Sequence, residues 1–439
     1  MICMLLLATL PPASPPADWN TIAPLIQHHC TPCHVGDGPA PFPLVTHADI
    51  ARRRTFVAKV LRDRLMPPWL PGKDSVAVHG DRSMPEADRD AVIQWLDAGA
   101  PVGDGQPPTP ITPQPPPPLP DDAITLTMSN TFTIPPETED SGHRYHQDTW
   151  SFVIPINNTK PLRLRGMQWD TTAPQNLHTA TVLLDGDGQG DARDRYDPRY
   201  GYERDGDLNR AVSGTHGGSA IGMPRFMLPD GFHMTAPAGS DVVAELRYRP
   251  SGRNVPLQDT IHLIPAQADA ESRELIAAVI GVNLFVVEAG DDNHRSSETM
   301  LLPAAMDVVA ILPRARNECR SMRLTALLPD ADDDVIILDI PEWDNHWRSH
   351  LMLKEVLHLP AGTRLQSTFI LDNSSGNPRN PFDPPQDMRH GRRTGAASFT
   401  LLGAAPDAAG SRAIVELSQM RMDQRGRRSR PSSNTPADP

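Results

Sequence analysis

Two thiols and an imidazole fall within five residues, Cys30-Thr31-Pro32-Cys33-His34. C-x-x-C-H is the spacing of covalent c-type haem attachment: each S–H adds across one porphyrin vinyl group, and the following histidine is the proximal iron ligand. C-x-x-C also serves zinc and thioredoxin-like redox chemistry. A zinc ribbon needs a second ligand pair at similar spacing, and the remaining cysteines are Cys3 and Cys319. A thioredoxin site would follow a strand, whereas Ile22, Leu25, Ile26 and His29 repeat at helical spacing. The motif therefore predicts one covalent haem c on Cys30 and Cys33, with His34 as proximal ligand. Met66, in Leu65-Met66-Pro67-Pro68-Trp69, is the expected distal ligand. Its flanking prolines hold the chain extended, and His/Met ligation raises the reduction potential. Met84, His28, His29, His47 and His79 are weaker candidates.

The elements that must position these groups are short. Residues 18–105 read as a small all-α domain. Thr46 with Asp49, and Ser83 with Glu86, form capping boxes before its second and third helices. Val92, Trp95 and Leu96 give the third an apolar face, and Gly99 followed by Pro101 stops it. Residues 106–121 are a proline-rich spacer. From residue 122 the apolar period changes to two, as in Ile124-Thr125-Leu126-Thr127, Trp150–Ile154, Val242–Tyr248 and Arg364–Leu371. This span is too long for one sandwich of about 100 residues. Two tandem antiparallel β-sandwiches are expected, at 122–269 and 270–420, followed by a disordered basic tail at 421–439.

Composition narrows the class. With 41 basic and 54 acidic residues the net charge is −13, and no nucleic-acid partner is expected. The apolar run at residues 1–10, with small residues at Ala13 and Ala17, reads as a signal peptide over 1–17. It is about half the length of a membrane span. A secreted or periplasmic protein is expected, in agreement with haem attachment outside the bacterial cytoplasm.

Several segments together resemble a bacterial architecture. They are Cys30–His34, Gly38-Pro39-Ala40-Pro41-Phe42, Met66–Trp69, Trp95–Pro101, Leu246–Gly252, the stretch around Trp343, Asp344 and Trp347, and Leu371–Pro381. In that architecture a cytochrome c module precedes a module similar to the copper type II, ascorbate-dependent monooxygenases, such as peptidylglycine α-hydroxylating monooxygenase. The resemblance covers residues 18–405 and implies two jelly-roll sandwiches with two copper sites between them. At the positions matching the first copper's ligands stand Leu177, His178 and Arg247, with Arg249 two residues on; at those of the second stand Arg314, Arg316 and Ser398. Copper takes an imidazole lone pair or a soft sulfur; a guanidinium has no lone pair to give and keeps its charge. Copper is therefore not expected. The expected function is electron transfer by one haem to a redox partner protein, with the sandwich pair as a pseudoenzyme docking module. The alternatives are a copper-dependent monooxygenase fed by the haem, and a haem-based sensor or anion-binding module.

Other constellations read as structural. His143 with His146, and His346 with His350, read as exposed loop histidines. Asp185, Asp187, Asp191 and Asp194 lack the full calcium-loop pattern. Arg247, Arg249, Arg314 and Arg316 read as partners of the abundant carboxylates.

Overall fold

The computed structural model describes residues 17–104, 109–112, 117–137, 148–203, 216–220, 225–267, 271–282, 287–329, 333–388 and 397–428. The expectations for residues 1–16, for most of the spacer, for His143 and His146, and for the tail beyond 428 lie outside the described residues. The chain divides into two compact units, 1–68 with 82–116, and 69–81 with 117–439.

The first unit is helical: α1 (Trp19–His29), α2 (His47–Ala51), α3 (Arg54–Arg62) and α4 (Glu86–Asp97). The expected second helix is thus two, broken at Arg52 and Arg53. Thr46 and Asp49 form the expected capping box, with Thr46 Oγ1 accepting from Asp49 N at 3.1 Å and Asp49 Oδ2 accepting from Thr46 N at 3.1 Å. The Ser83–Glu86 box does not form, because α4 starts at Glu86 behind Pro85 and the Glu86 carboxylate turns to Arg64 instead. At the other end of α4, Gly99 has φ +92°, and the N–H of Ala100 reaches the Trp95 carbonyl at 2.9 Å. That left-handed position is why glycine ends the helix. The core is Trp19, Ile22, Ile26, Ile50, Leu61, Val92, Trp95 and Leu96. Each indole here is 1% exposed, and truncating either to alanine would cost about 3–5 kcal/mol.

The second unit holds two β-sandwiches. In the first, one sheet runs in the order Ile124–Thr127, Thr260–Pro265, Leu162–Asp170, Phe232–Ala236, Arg273–Glu274, with Arg225–Met227 also on Leu162–Asp170. The facing sheet runs Tyr202–Glu203, Asp148–Pro155, Asp241–Tyr248, Leu177–Asp185, His216–Ala220. Leu164, Met234 and Ile261 from one sheet meet Phe152, Leu184 and Leu246 from the other in a common core. In the second sandwich, Ile276–Val282, Ala397–Ala404, Met306–Arg314 and Leu351–Leu359 face His294–Leu301, Arg364–Leu371, Cys319–Leu327 and Val335–Ile340. Its core includes Ile280, Met322, Trp343, Phe369 and Phe399.

Three boundaries differ from expectation. The first sandwich keeps Arg273–Glu274, so the second begins at Ile276. Residues 69–81, expected in the helical domain, belong to the second sandwich: Gly72 N donates to Asp339 O at 2.7 Å, Val78 bridges Leu353, and Leu70 and Val78 join the core. Residues 421–428, expected in a disordered tail, continue helix α6 (Ala408–Arg428) beyond a short α5 (Gln189–Asp194). Ile414 and Leu417 of α6 pack on the second sandwich, and Ser418 Oγ accepts from Val279 N at 3.2 Å.

Candidate functional site

The C-x-x-C-H segment is an extension of α1. Asp18 caps the start, accepting from Thr21 N at 3.0 Å, and Cys30 is the C-terminal cap. The next turn stays wound, since Cys33 N and His34 N both donate to Cys30 O, at 3.2 and 3.0 Å. Residues three apart on such a turn share one face, so the two thiols stand together. The chain then folds back: Ala40 N donates to Cys33 O at 3.2 Å and Leu44 N to His34 O at 2.9 Å. Gly38 permits this, because a Cβ there would lie 2.4 Å from Cys33 O.

That returning loop fixes the imidazole. His34 Nδ1 lies 2.9 Å from Phe42 O. A carbonyl only accepts, so the proton sits on Nδ1 and the lone pair on Nε2. Burial pushes the His34 pKa down, the Phe42 carbonyl opposes this, and Arg53 lowers it further. The ring is therefore a neutral donor at neutral pH. Burial also raises both thiols, Cys30 to about 12, with Arg82 partly opposing the rise at Cys33. A redox C-x-x-C pair has the reverse property, an attacking thiol lowered toward neutrality. Zinc would need further ligands, and no group of three or more His, Cys, Asp or Glu converges among the described residues.

This donor set fits a covalent haem: two protonated, unpaired thiols on one turn and one imidazole with a fixed tautomer. Cys30 and Cys33 would hold the porphyrin and His34 its iron; the group would supply reversible one-electron exchange. Apolar cover lies beside it. Phe42 packs 5.0 Å from the His34 ring, and Phe56, 55% exposed, stands 6.3 Å from Phe42.

Met66 lies just past α3, half-buried, and its carbonyl accepts from Arg89 Nη1 at 3.3 Å. The same guanidinium binds Leu61 O at 3.1 Å and Met84 O at 3.3 Å, so Arg89 ties the Met66 segment to α3 and α4. Sequence reading missed Arg89, which shows only as one of many charges on α4. Three rivals are already engaged: Met84 is core, His29 pairs with Asp88 at 3.3 Å, and His47 meets Ala100 O at 2.7 Å between Trp19 and Trp95. His28 is exposed and stacks on His29. His79 belongs to the second unit, where its N–H donates to Met352 O.

The six positions matched to copper ligands fall into two groups. Arg314 is the cross-strand partner of Ser398, and Arg316 lies 3.4 Å from Glu318 while its carbonyl accepts from Trp343 Nε1. In the other group, Leu177 is buried in the first sandwich core and His178 is 4% exposed. The strand register slips here: Arg247 pairs with Thr179 and Tyr248 with Leu177, leaving His178 as the extra residue of a bulge. Bulges re-aim side chains. His178 accordingly meets His346 across the sandwiches, ring centroids 5.9 Å apart. Burial, with Arg249, His346 and Arg247 nearby, pushes the His178 pKa down to about 3. Arg247 donates to Asn345 O at 3.0 Å and to Asn345 Oδ1 at 3.2 Å. His346 and His350 are therefore not exposed loop histidines: His346 Nδ1 lies 2.6 Å from Asp344 Oδ1, and His350, 9% exposed, packs on Phe226. Of the four arginines expected to pair with carboxylates, Arg316 does, Arg247 hydrogen-bonds the neutral Asn345 instead, and Arg249 has no ion pair among the described residues.

The acidic loop is a cover. Asp185, 1% exposed, accepts from Asp187 N at 3.1 Å and Gly190 N at 2.7 Å. α5 thereby lies over Val243, so close that a Cβ on Gly190 would be 2.4 Å from its methyl. Cys319 is buried, its thiol raised by burial.

No family model and no curated protein matches the chain. Among solved structures it is similar to N-glycanase F, at TM-score 0.28 and 8% identity over 65% of this chain and 97% of that one. It is also similar to PNGF-II, at 0.28 and 8% over 64% and 65%, and to the VP2 subviral particle of infectious bursal disease virus, at 0.20 and 9% over 66% and 74%. Likeness this distant carries no argument about the sites. Among the described residues no helix is long and apolar enough to cross a membrane.

Proposed function

We propose that this chain is an extracytoplasmic, monohaem c-type electron-transfer protein. Its helical unit is the cytochrome domain, with Cys30 and Cys33 as thioether attachments, His34 as proximal ligand and Met66 as distal ligand. Its sandwiches are of the monooxygenase-like jelly-roll type, without copper and without monooxygenase activity, and serve to dock a redox partner protein. The observation that carries the reading is the His34 ring, held neutral with Nδ1 on the Phe42 carbonyl beside two unpaired thiols. The loss of copper rests on chemistry: Arg247, Arg314 and Arg316 stand at ligand positions, and a guanidinium repels the ion it would have to bind.

The test is to produce the full chain with bacterial haem-maturation functions and to measure covalent haem and copper on one preparation. One haem per chain surviving denaturation, a long-wavelength sulfur–iron band in the oxidised form and no stoichiometric copper are expected. Purified protein without covalent haem would overturn the reading. Stoichiometric copper with ascorbate-dependent oxygen uptake would replace it with the monooxygenase. Missing sulfur–iron absorption with carbon monoxide binding would replace it with the sensor.

A further inference from the structure

We infer that the cluster of His178, Arg247, Arg249 and His346 between the two sandwiches is a binding site for a small oxyanion, a carboxylate or a phosphate. The observations are independent of the haem. His178 is 4% exposed, yet its Nδ1 is buried with no hydrogen-bond partner. The strand bulge turns that ring toward the second sandwich, where it meets His346 at 5.9 Å. Two guanidiniums act on the same ring. Arg247 spends its hydrogen bonds on the neutral oxygens of Asn345, and burial brings its pKa down to about 10 against the opposing charge of Asp344. Arg249 has no ion pair among the described residues; its backbone N–H and C=O are both held by Asn176, at 2.8 Å each.

Asp344, whose charge acts on both His178 and Arg247, is already committed. Asp344 Oδ1 accepts from His346 N at 2.9 Å and lies 2.6 Å from His346 Nδ1, while Oδ2 is 3.8 Å from Arg379. Burial would raise the Asp344 pKa, but these hydrogen bonds and the charges of His346 and Arg379 outweigh it and hold it low. Asp344 is thus shared between Arg379 and the charge of Arg247, and Arg249 has no carboxylate partner among the described residues. Buried cations are retained where they are paired, and guanidinium forks match carboxylate and phosphate oxygens. An oxyanion would pair Arg247 and Arg249 and give the orphaned His178 ring a partner.

The full chain is titrated calorimetrically with sodium phosphate and, separately, with acetate and citrate, each at constant ionic strength set with chloride. Saturable one-site binding to at least one probe is expected, weakened about tenfold or more in Arg249→Gln. Arg249 is exposed, so this variant should fold. Arg52→Gln, on the helical unit, should bind like the parent. Binding of phosphate alone, or of the carboxylates alone, identifies the class. No saturable binding at up to about 10 mM of any probe, or equal binding by parent and Arg249→Gln, overturns the inference. Neither result depends on haem content, so failure here is distinguishable from failure of the electron-transfer reading.

Discussion

His178 makes the stability of the second unit depend on pH. Its folded pKa is about 3, whereas an unfolded histidine titrates near 6.5. Between those values the unfolded chain binds the proton and the folded chain does not. Acidification therefore favours unfolding, and the full contribution returns only above about pH 6.5. The groups facing the ring are Arg247 and Arg249 from its own sandwich, and Asp344 and His346 from the other. At about pH 5 the unfolded histidine is almost fully protonated and the folded one almost fully neutral. The difference, about 1.36 kcal/mol per decade over one and a half decades, is about 2 kcal/mol. At about pH 7.5 it is near zero. His178→Gln keeps a polar side chain of similar reach and removes the titration. Urea unfolding of parent and variant, followed by tryptophan fluorescence at both pH values in a buffer free of phosphate and carboxylate, isolates the term. The parent should lose about 2 kcal/mol more than the variant on acidification, because only the parent carries the His178 titration. Equal losses would refute the assignment of a buried, cation-flanked imidazole at this position.

Three further outcomes follow from the same geometry. Arg89→Met removes donors from the carbonyls of Leu61, Met66 and Met84; it should destabilise the helical unit by about 2–3 kcal/mol in denaturant titration and weaken the sulfur–iron band. Gly38→Ala places a Cβ 2.4 Å from Cys33 O and should lower covalent haem yield, whereas Gly36→Ala, with nothing within 4 Å, should match the parent by haem stain. Asp259→Ala strips the buried carboxylate that accepts from Trp169 Nε1 at 2.9 Å and Thr172 N at 2.8 Å; calorimetry should show a loss of about 2–3 kcal/mol in the second unit alone.

What could be read from the chain depended on how local its cause was. The Thr46–Asp49 box and the Gly99 stop are decided within a few residues, and both form. Ser83 with Glu86 satisfied the same pattern, but Pro85 took the cap position and Arg64 the carboxylate. Ile124–Thr127 and Arg364–Leu371 were legible because one face of each is more buried than the other, whereas Val242–Tyr248 is buried on both faces and read as a strand from its β-branched residues and spacing. The segment 69–81 was not, since its backbone pairs with Asp339, Ile337, Met352 and Ala77's partner Lys354, some 260–280 residues away. α6 was hidden by its arginine-rich end; its docking rests on Ile414, Leu417 and Ser418, with Arg421 bonded to Glu298 and to the Thr299 carbonyl. The Cys-x-x-Cys-His spacing was visible outright, yet the Phe42 carbonyl that fixes the His34 tautomer was not. The approach of His346 to His178 depends on a bulge and on the packing of two sandwiches, for which the sequence carries no local signal.

The two histidines that matter most share a shift and differ in what it permits. Burial holds both His34 and His178 in the neutral form. For His34 the proton is pinned on Nδ1 by a neutral carbonyl, with one guanidinium, Arg53, stacked on Phe42 rather than paired with the ring. Under the proposed function Nε2 would be the atom that holds haem iron, and the group would supply one-electron exchange. His178 is also neutral, but the charges of Arg247 and Arg249 act on its ring. A bare cation there would add its charge to theirs. The charge of their neighbours thus sets two neutral, buried imidazoles apart: His34 faces a neutral carbonyl, and His178 faces two guanidiniums.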